Sequence, residues 1–369
     1  MFELIVQDRH TKARHGRLTT AHGVIHTPAF MPIGTQGTVK AVTPRELREL
    51  KAQIILGNTY HLFVRPGIDV MQHFGGLHRF MNWDGAILTD SGGYQIFSLA
   101  KLRKITDEGV HFQNHVDGTP AFISPEIAME IQAKLGSDIA MVLDECPPWP
   151  CERDYAARSA EMTTRWAKRC KKAVEVCVSR AGWRTAADTA ATTANQLLFG
   201  IIQGATFDDL RKESAQAIVD LDFDGHAIGG VSVGEPEEEM MRAVESTEPF
   251  LAKEKPRYAM GLGTPPQLLE MIARGMDMFD CVLPTRLARN ACSEFSRGYI
   301  RHLIKAEEIL GLRLITLHNL HFYLDLMRRA QAAIENGNFH EFRKAFVSGY
   351  RTRDVDRSCG KNLATDSHR

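Results

Sequence analysis

Residues 138–145 read DIAMVLDE, five apolar residues in succession between an aspartate and a closing pair of acids. A strand with one wet face alternates apolar and polar residues. An unbroken apolar run of this length predicts a strand buried on both faces, as in a parallel sheet. The pattern recurs in both directions: QIILGNTY (53–60), AILTDSGG (86–93), LLFGIIQG (197–204), GHAIGGV (225–231), RYAMGLG (257–263) and MFDCVLPT (278–285). Helical stretches with clear start signals lie between them. Thr43-Pro44-Arg45-Glu46 and Thr264-Pro265-Pro266-Gln267 read as capping boxes with proline in the first turn, and Ser124-Pro125 opens another helix. Strand and helix alternating at this spacing predict an α/β chain, a modified (β/α)8 TIM barrel first and an open doubly wound sheet second. Residues 1–290 would form the catalytic barrel. Helical periodicity over 306–346 predicts a helical C-terminal part, 291–350, packed on it and completing it. The polar stretch 351–369 reads as a disordered tail, and the Ala/Thr-rich 183–196 as a surface extension.

Composition narrows the function classes. The 369 residues carry 45 Lys+Arg against 45 Asp+Glu, so nucleic acid cannot be held by bulk positive charge, only by a local patch. From Pro284 to Lys305 there are five basic residues and one acid, a local +4; from Glu235 to Glu254, seven Glu face Arg242 and Lys253, a local −5. Seven cysteines without a CxxC pair indicate free thiols rather than a disulfide framework or metal clip. The charged N-terminus does not read as a secretory signal, and no run reaches the roughly 18 apolar residues of a membrane span. A cytoplasmic protein that does not engage membranes is expected.

The polar residues that interrupt this pattern sit where the apolar runs stop. Asp90, Asp144, Gln203, Gly229-Gly230, Met260 and Asp280 all fall at or near predicted strand C-termini, which in a barrel converge on one mouth. Asp90, in Thr89-Asp90-Ser91-Gly92-Gly93-Tyr94-Gln95, is followed by glycines that permit close approach of a ligand. Asp280 is an acid inside an apolar run, and burying it costs several kcal/mol unless it is paired or used. Two such acids at one mouth suit glycosidic chemistry, one at the anomeric carbon and one carrying the proton. The structural alternatives are a tight turn at DSGG, and a salt bridge from Asp280 to Arg286 or Arg289.

DSGGYQ, FGIIQG, IGGVSVGE, YAMGLG and FDCVLPTRLARN, in this order, resemble the bacterial tRNA-guanine transglycosylases, also called queuine tRNA-ribosyltransferases. The similarity runs from HGVIHTPAFMPIGTQGTVK near the N-terminus to LHNLHFY near residue 320. The resemblance implies a pentosyltransferase of queuosine biosynthesis that swaps guanine at the wobble position of tRNA, position 34, for a 7-deazaguanine base without cutting the RNA. It implies Asp280 as the nucleophile on ribose C1′ and Asp90 as the general acid/base. For the base it implies Asp90, Ser91, Gly92 and Gly93 around the reacting centre, Asp144, Gln203, Gly229 and Gly230 on its edge, and Tyr94 and Met260 against its faces. For the RNA it implies the loop Gly261, Leu262, Gly263, Thr264, Pro265, Pro266 and Gln267, with Thr285, Arg286, Leu287, Ala288 and Arg289. Cys146 and Val233 favour preQ1 over the bulkier queuine, and a homodimer is possible.

One departure from the family pattern is large. Members carry CxCxxC and a distant His that hold a structural zinc. Here Asn290 runs directly into Ala291-Cys292-Ser293, as though roughly 30 residues were missing, and only Cys292 and His318 match the ligands. A structural zinc site wants four. No metal is therefore expected, and the chemistry requires no cofactor. Two other readings fit the same residues: a transglycosylase acting on DNA or another RNA position, and a catalytically silent tRNA-binding or partner subunit.

Overall fold

The computed structural model describes residues 1–99, 102–179, 196–286 and 295–361. Three antiparallel strands come first, β1 (Phe2–Gln7), β2 (Arg14–Thr20) and β3 (Gly23–Thr27). The central sheet follows: β4 (Ala29–Met31), β5 (Ile33–Gly34), β6 (Ile54–Gly57) and β7 (Ala86–Thr89). An antiparallel meander, β8 (Arg103–Ile105), β9 (Val110–Gln113) and β10 (Pro120–Ile123), interrupts it. It resumes with β11 (Ile139–Met141), β12 (Leu197–Ile202), β13 (Gly225–Ile228), β14 (Arg257–Ala259) and β15 (Met278–Asp280). The order β4-β15-β14-β13-β12-β11-β7-β6-β5 is parallel throughout.

This order closes on itself. β4 and β5 are one strand broken at Pro32, which has no N–H for the ladder. Its first half pairs with β15 and its second with β6, while Leu56 N–H donates to the Pro32 carbonyl at 2.9 Å. The result is a (β/α)8 barrel. All seven strands read from apolar runs form; the eighth, short and interrupted by proline, carries no such run.

Caps fix the helices that carry the loops. Thr43 and Thr264 both make full capping boxes, and Ser124 caps the helix Pro125–Leu135 through the Ile127 N–H. The helices Ile309–Glu335 and Phe339–Lys361 form the C-terminal part, and Leu320, Leu324 and Met327 of the first belong to the barrel's apolar core. The second continues as helix past residue 350, where the sequence suggested that a tail begins; 362–369 lie outside the described residues, as does almost all of the extension expected at 183–196.

The sheet β1–β3 plugs the N-terminal end of the barrel. Arg14 forms a two-point ion pair with Asp277, Nε to Oδ1 at 3.0 Å and Nη2 to Oδ2 at 2.7 Å, both residues almost fully buried. Its guanidinium also donates to the Lys253 and Lys255 carbonyls. Chemistry is left to the opposite end.

Candidate active site

Every strand-end residue singled out above lies at the C-terminal mouth: Asp90 directly after β7, Asp144 just past β11, Gln203 after β12, Gly229 and Gly230 after β13, Met260 after β14, and Asp280 closing β15. Asp280 is buried, and Tyr258 Oη and the Gly261 N–H donate to its Oδ1 at 2.6 and 2.8 Å. Both donors take the same oxygen. Among the described residues nothing hydrogen-bonds to Oδ2, and no basic side chain pairs with the carboxylate. Of the arginines weighed as its partners, Arg286 lies at the end of the single turn Leu283–Arg286 with its side chain outside the description, and Arg289 is not described. Burial raises the proton affinity of Asp280; the Tyr258 and Gly261 hydrogen bonds oppose the rise.

Asp90 is held more tightly. Thr59 N–H donates to Oδ1 at 2.9 Å, and the Asn58 and Gln95 amides donate to Oδ2, the latter at 2.8 Å. Burial is the main cause that pushes its pKa up to about 6, and the charge of Asp280 pushes the same way. One acid thus carries a free oxygen, while its neighbour is tuned to gain and lose a proton near neutral pH.

The third acid lies beside them. Asp144 accepts from Ser91 Oγ at 2.9 Å and from Gln203 Nε2 at 2.7 Å, and burial lifts it to about 6. Gly93 N–H donates to Ser91 Oγ at 3.1 Å, so the turn after Asp90 braces Asp144. Glycine is required there: a Cβ on Gly93 would fall 2.5 Å from the Asp144 carbonyl oxygen. Gln203 leaves its Oε1 buried and without a hydrogen-bond partner. That amide lies against Gly229 and Gly230, where a Gly230 Cβ would meet Oε1 at 2.4 Å. Gly230 also has a positive φ of 62°, which favours glycine. Glu235 accepts the Ser232 and Val233 N–H groups and shapes the next loop. Burial pushes the Cys146 thiol up to about 12, so it stays neutral beside Asp144. Tyr94 is 48% exposed and Met260 part-buried, both at the rim.

The loop expected to touch RNA divides. Gly261 is exposed and contributes its N–H to Asp280. Leu262 is fully buried in the core, Pro265 is buried, and Gly263 accepts the Tyr323 hydroxyl at 2.6 Å. Thr264 and Gln267 are committed to their capping box, Gln267 also donating to Glu237. Pro266 is part-exposed. Thr285, like Arg286, is described in backbone only, and Leu287, Ala288 and Arg289 lie outside the described residues.

Of the residues that match the family's zinc ligands, His318 lies on the helix Ile309–Glu335 and Cys292 is outside the described residues; two matching ligands fall short of the four a structural zinc wants. Among the described residues, the group with metal-ligating types within reach of one another is His22, His78 and Asp138, at the far end of the barrel. Its imidazoles stack at 3.6 Å and 17°, so their lone pairs run side by side instead of meeting at one point. Asp138 accepts from the His22 backbone N–H at 3.1 Å, lies 2.8 Å from His22 Nδ1 and 3.1 Å from His78 Nε2, and so fastens the β2–β3 hairpin to the barrel.

Several site residues were not singled out from the sequence: Asn58, Thr59, Gln95, Tyr258, Glu235 and Arg211. Asn58-Thr59 follow the apolar run of β6 and could have been found by the strand-end rule; Gln95 stands in the DSGGYQ motif. Tyr258 and Glu235 likewise stand in the motifs YAMGLG and IGGVSVGE, whereas Arg211 carries no local signal.

A family model described as queuine tRNA-ribosyltransferase matches residues 8–291 and 290–352, and its two pieces meet where the sequence shows a missing segment. Relatives described as queuine tRNA-ribosyltransferase are 51% identical in Symbiobacterium thermophilum, over 96% of this chain and 93% of theirs, and 51% in Desulforudis audaxviator, over 94% and 98%. One from Staphylococcus aureus is 50% identical over 95% of this chain and 96% of its own. Identity at this level across nearly the whole barrel agrees with the acids gathered at its mouth: the chain belongs to the queuine tRNA-ribosyltransferase family.

Proposed function

We propose that this chain exchanges the guanine at wobble position 34 of tRNA for a 7-deazaguanine base, preQ1, by two successive displacements. The observation that carries the reading is the pairing of Asp280, one oxygen pinned and the other free, with Asp90, whose proton affinity is raised toward neutrality. Asp280 Oδ2 attacks ribose C1′ as the guanine bond breaks, and Asp90 delivers a proton to the departing base. Asp90 then takes a proton from the incoming base, whose nitrogen attacks C1′ and releases Asp280, so configuration is retained.

Asp144 accepts from the N1–H and N2–H groups of a guanine-like edge, with Gln203 and the Gly230 N–H completing the contact. A site of buried acceptors strongly rejects bases that lack these donors. Tyr94 and Met260 stack on the ring faces, worth about 1–3 kcal/mol per base. The basic cluster after the nucleophile, Arg286 to Lys305, holds the phosphates around the wobble nucleotide. We infer that no zinc takes part, and that two copies associate as the resemblance implies.

Incubation with G34 tRNA and labelled preQ1 tests the reading directly. Label is expected to enter the tRNA with release of guanine, and denaturing gels are expected to trap an RNA–protein adduct that Asp280→Ala lacks. Tight tRNA binding without exchange or adduct would overturn it.

A further inference from the structure

Arg211, in the helix Asp208–Val219, is fully buried, and its guanidinium donates to main-chain carbonyls alone. Nε reaches Ala205 at 2.7 Å, Nη1 reaches Ile202 at 3.2 Å and Gly229 at 2.8 Å, and Nη2 reaches Gly230 at 3.1 Å. Among the described residues no carboxylate forms an ion pair with it, and Glu235 acts on it only through its field. Burial lowers its pKa to about 10, so it stays charged at neutral pH. An unpaired buried cation is costly, and an apolar side chain of similar volume would serve helix packing better. The charge therefore calls for a role beyond packing.

The four carbonyls indicate that role. Ile202 and Ala205 flank Gln203-Gly204 at the end of β12, and Gly229 and Gly230 end β13. One planar group thus ties together the two strand ends that carry the base-reading groups. In a trans peptide the C=O and the following N–H point in opposite directions. Holding the Gly229 carbonyl therefore turns the Gly230 N–H away from Arg211, toward the Cys146 sulfur two residues past Asp144. The Gln203 amide rests on these same glycines and passes their position on to Asp144 through its 2.7 Å hydrogen bond.

We propose that Arg211 is a positioning residue for the heterocyclic base, clamping the ends of β12 and β13 so that Gln203 and the Gly230 N–H are set at the spacing a purine edge needs. The proposal rests on the base-exchange reading for the identity of the ligand. A lysine keeps the charge but cannot span four carbonyls, and a glutamine keeps a planar donor without charge.

The experiment compares wild-type protein with Arg211→Lys and Arg211→Gln. It measures guanine and 7-deazaguanine binding by calorimetry, the separate KM values for base and tRNA, and folding by circular dichroism. In the folded variants, Kd and KM for the base are expected to rise about tenfold or more, while KM for tRNA stays within about twofold. A purely structural role would lower kcat through loss of active protein and leave the KM for base unchanged. Unchanged base affinity in a folded variant, equal losses for base and tRNA, or loss of fold in both variants would each overturn the proposal. Wild-type protein that binds guanine without exchanging it would overturn the proposed reaction and leave the Arg211 role intact; wild-type protein that binds no purine would overturn both.

Discussion

Tyr258 donates its hydroxyl to Asp280 Oδ1 at 2.6 Å, the same oxygen that the Gly261 N–H takes at 2.8 Å. The carboxylate is thereby fixed in rotation, with Oδ2 the oxygen that can attack. Removing the phenol should loosen that orientation and leave the charge in place. Tyr258→Phe is expected to slow adduct formation by about 10–100-fold in single-turnover experiments, with tRNA affinity unchanged. Unaltered adduct kinetics would refute the orienting role.

Asp280→Asn separates stability from activity. The amide can keep its oxygen at the position of Oδ1 and remove a buried charge, so exchange should vanish while the protein melts at a higher temperature at pH 8. The sign follows from the raised proton affinity of Asp280 in the folded state: its charge destabilises the fold at high pH. That destabilisation fades as the carboxylate protonates. The advantage of the variant should therefore shrink as pH falls toward the ordinary aspartate value of 3.8. Thermal melts of both proteins from pH 4 to 8 give the comparison.

Base affinity should depend on pH through Asp144. Its pKa is pushed up to about 6 by burial, and only the carboxylate accepts two donors from a base edge. KM for the base is expected to rise as pH falls below about 6, with KM for tRNA changing less. A flat profile for the base between pH 5 and 7.5 would remove Asp144 from recognition.

Gly93→Ala tests the close approach at the turn. The added methyl would fall 2.5 Å from the Asp144 carbonyl oxygen and 2.9 Å from its Oδ1. Base affinity should fall by about tenfold or more, while far-UV circular dichroism stays close to wild type. A fully active variant would mean that the Ser91–Asp144 brace is dispensable.

The other end of the barrel should govern stability alone. Arg14→Met leaves Asp277 buried without its partner, a loss on the order of 3–5 kcal/mol. Chemical denaturation is expected to show it. Protein that stays folded should retain its KM values.

The strand-end polar residues were legible because each ends an apolar run, the mark of a buried strand reaching a polar mouth. Asp90, Asp144, Gln203 and Asp280 were found in that way. The first barrel strand was not, because Pro32 splits it and its pairing on both sides is a matter of closure. Leu262 and Pro265 sit in a loop motif that reads as one RNA contact, yet the fold buries both. Packing direction does not show in a motif of glycines and prolines.

By itself, the sequence determined the barrel class, the end of the barrel that carries the chemistry, and the acids that meet there. Apolar periodicity and caps are local, and each costs or gains free energy within a few residues. Only the tertiary structure decided which oxygen of Asp280 is free, how far Asp90 and Asp144 are lifted toward neutral pH, and that Arg211 spans two strand ends. Those properties come from burial and from partners far apart in the chain. Tyr258 reaches Asp280 across 22 residues, Gln203 reaches Asp144 across 59, and no local pattern encodes either distance.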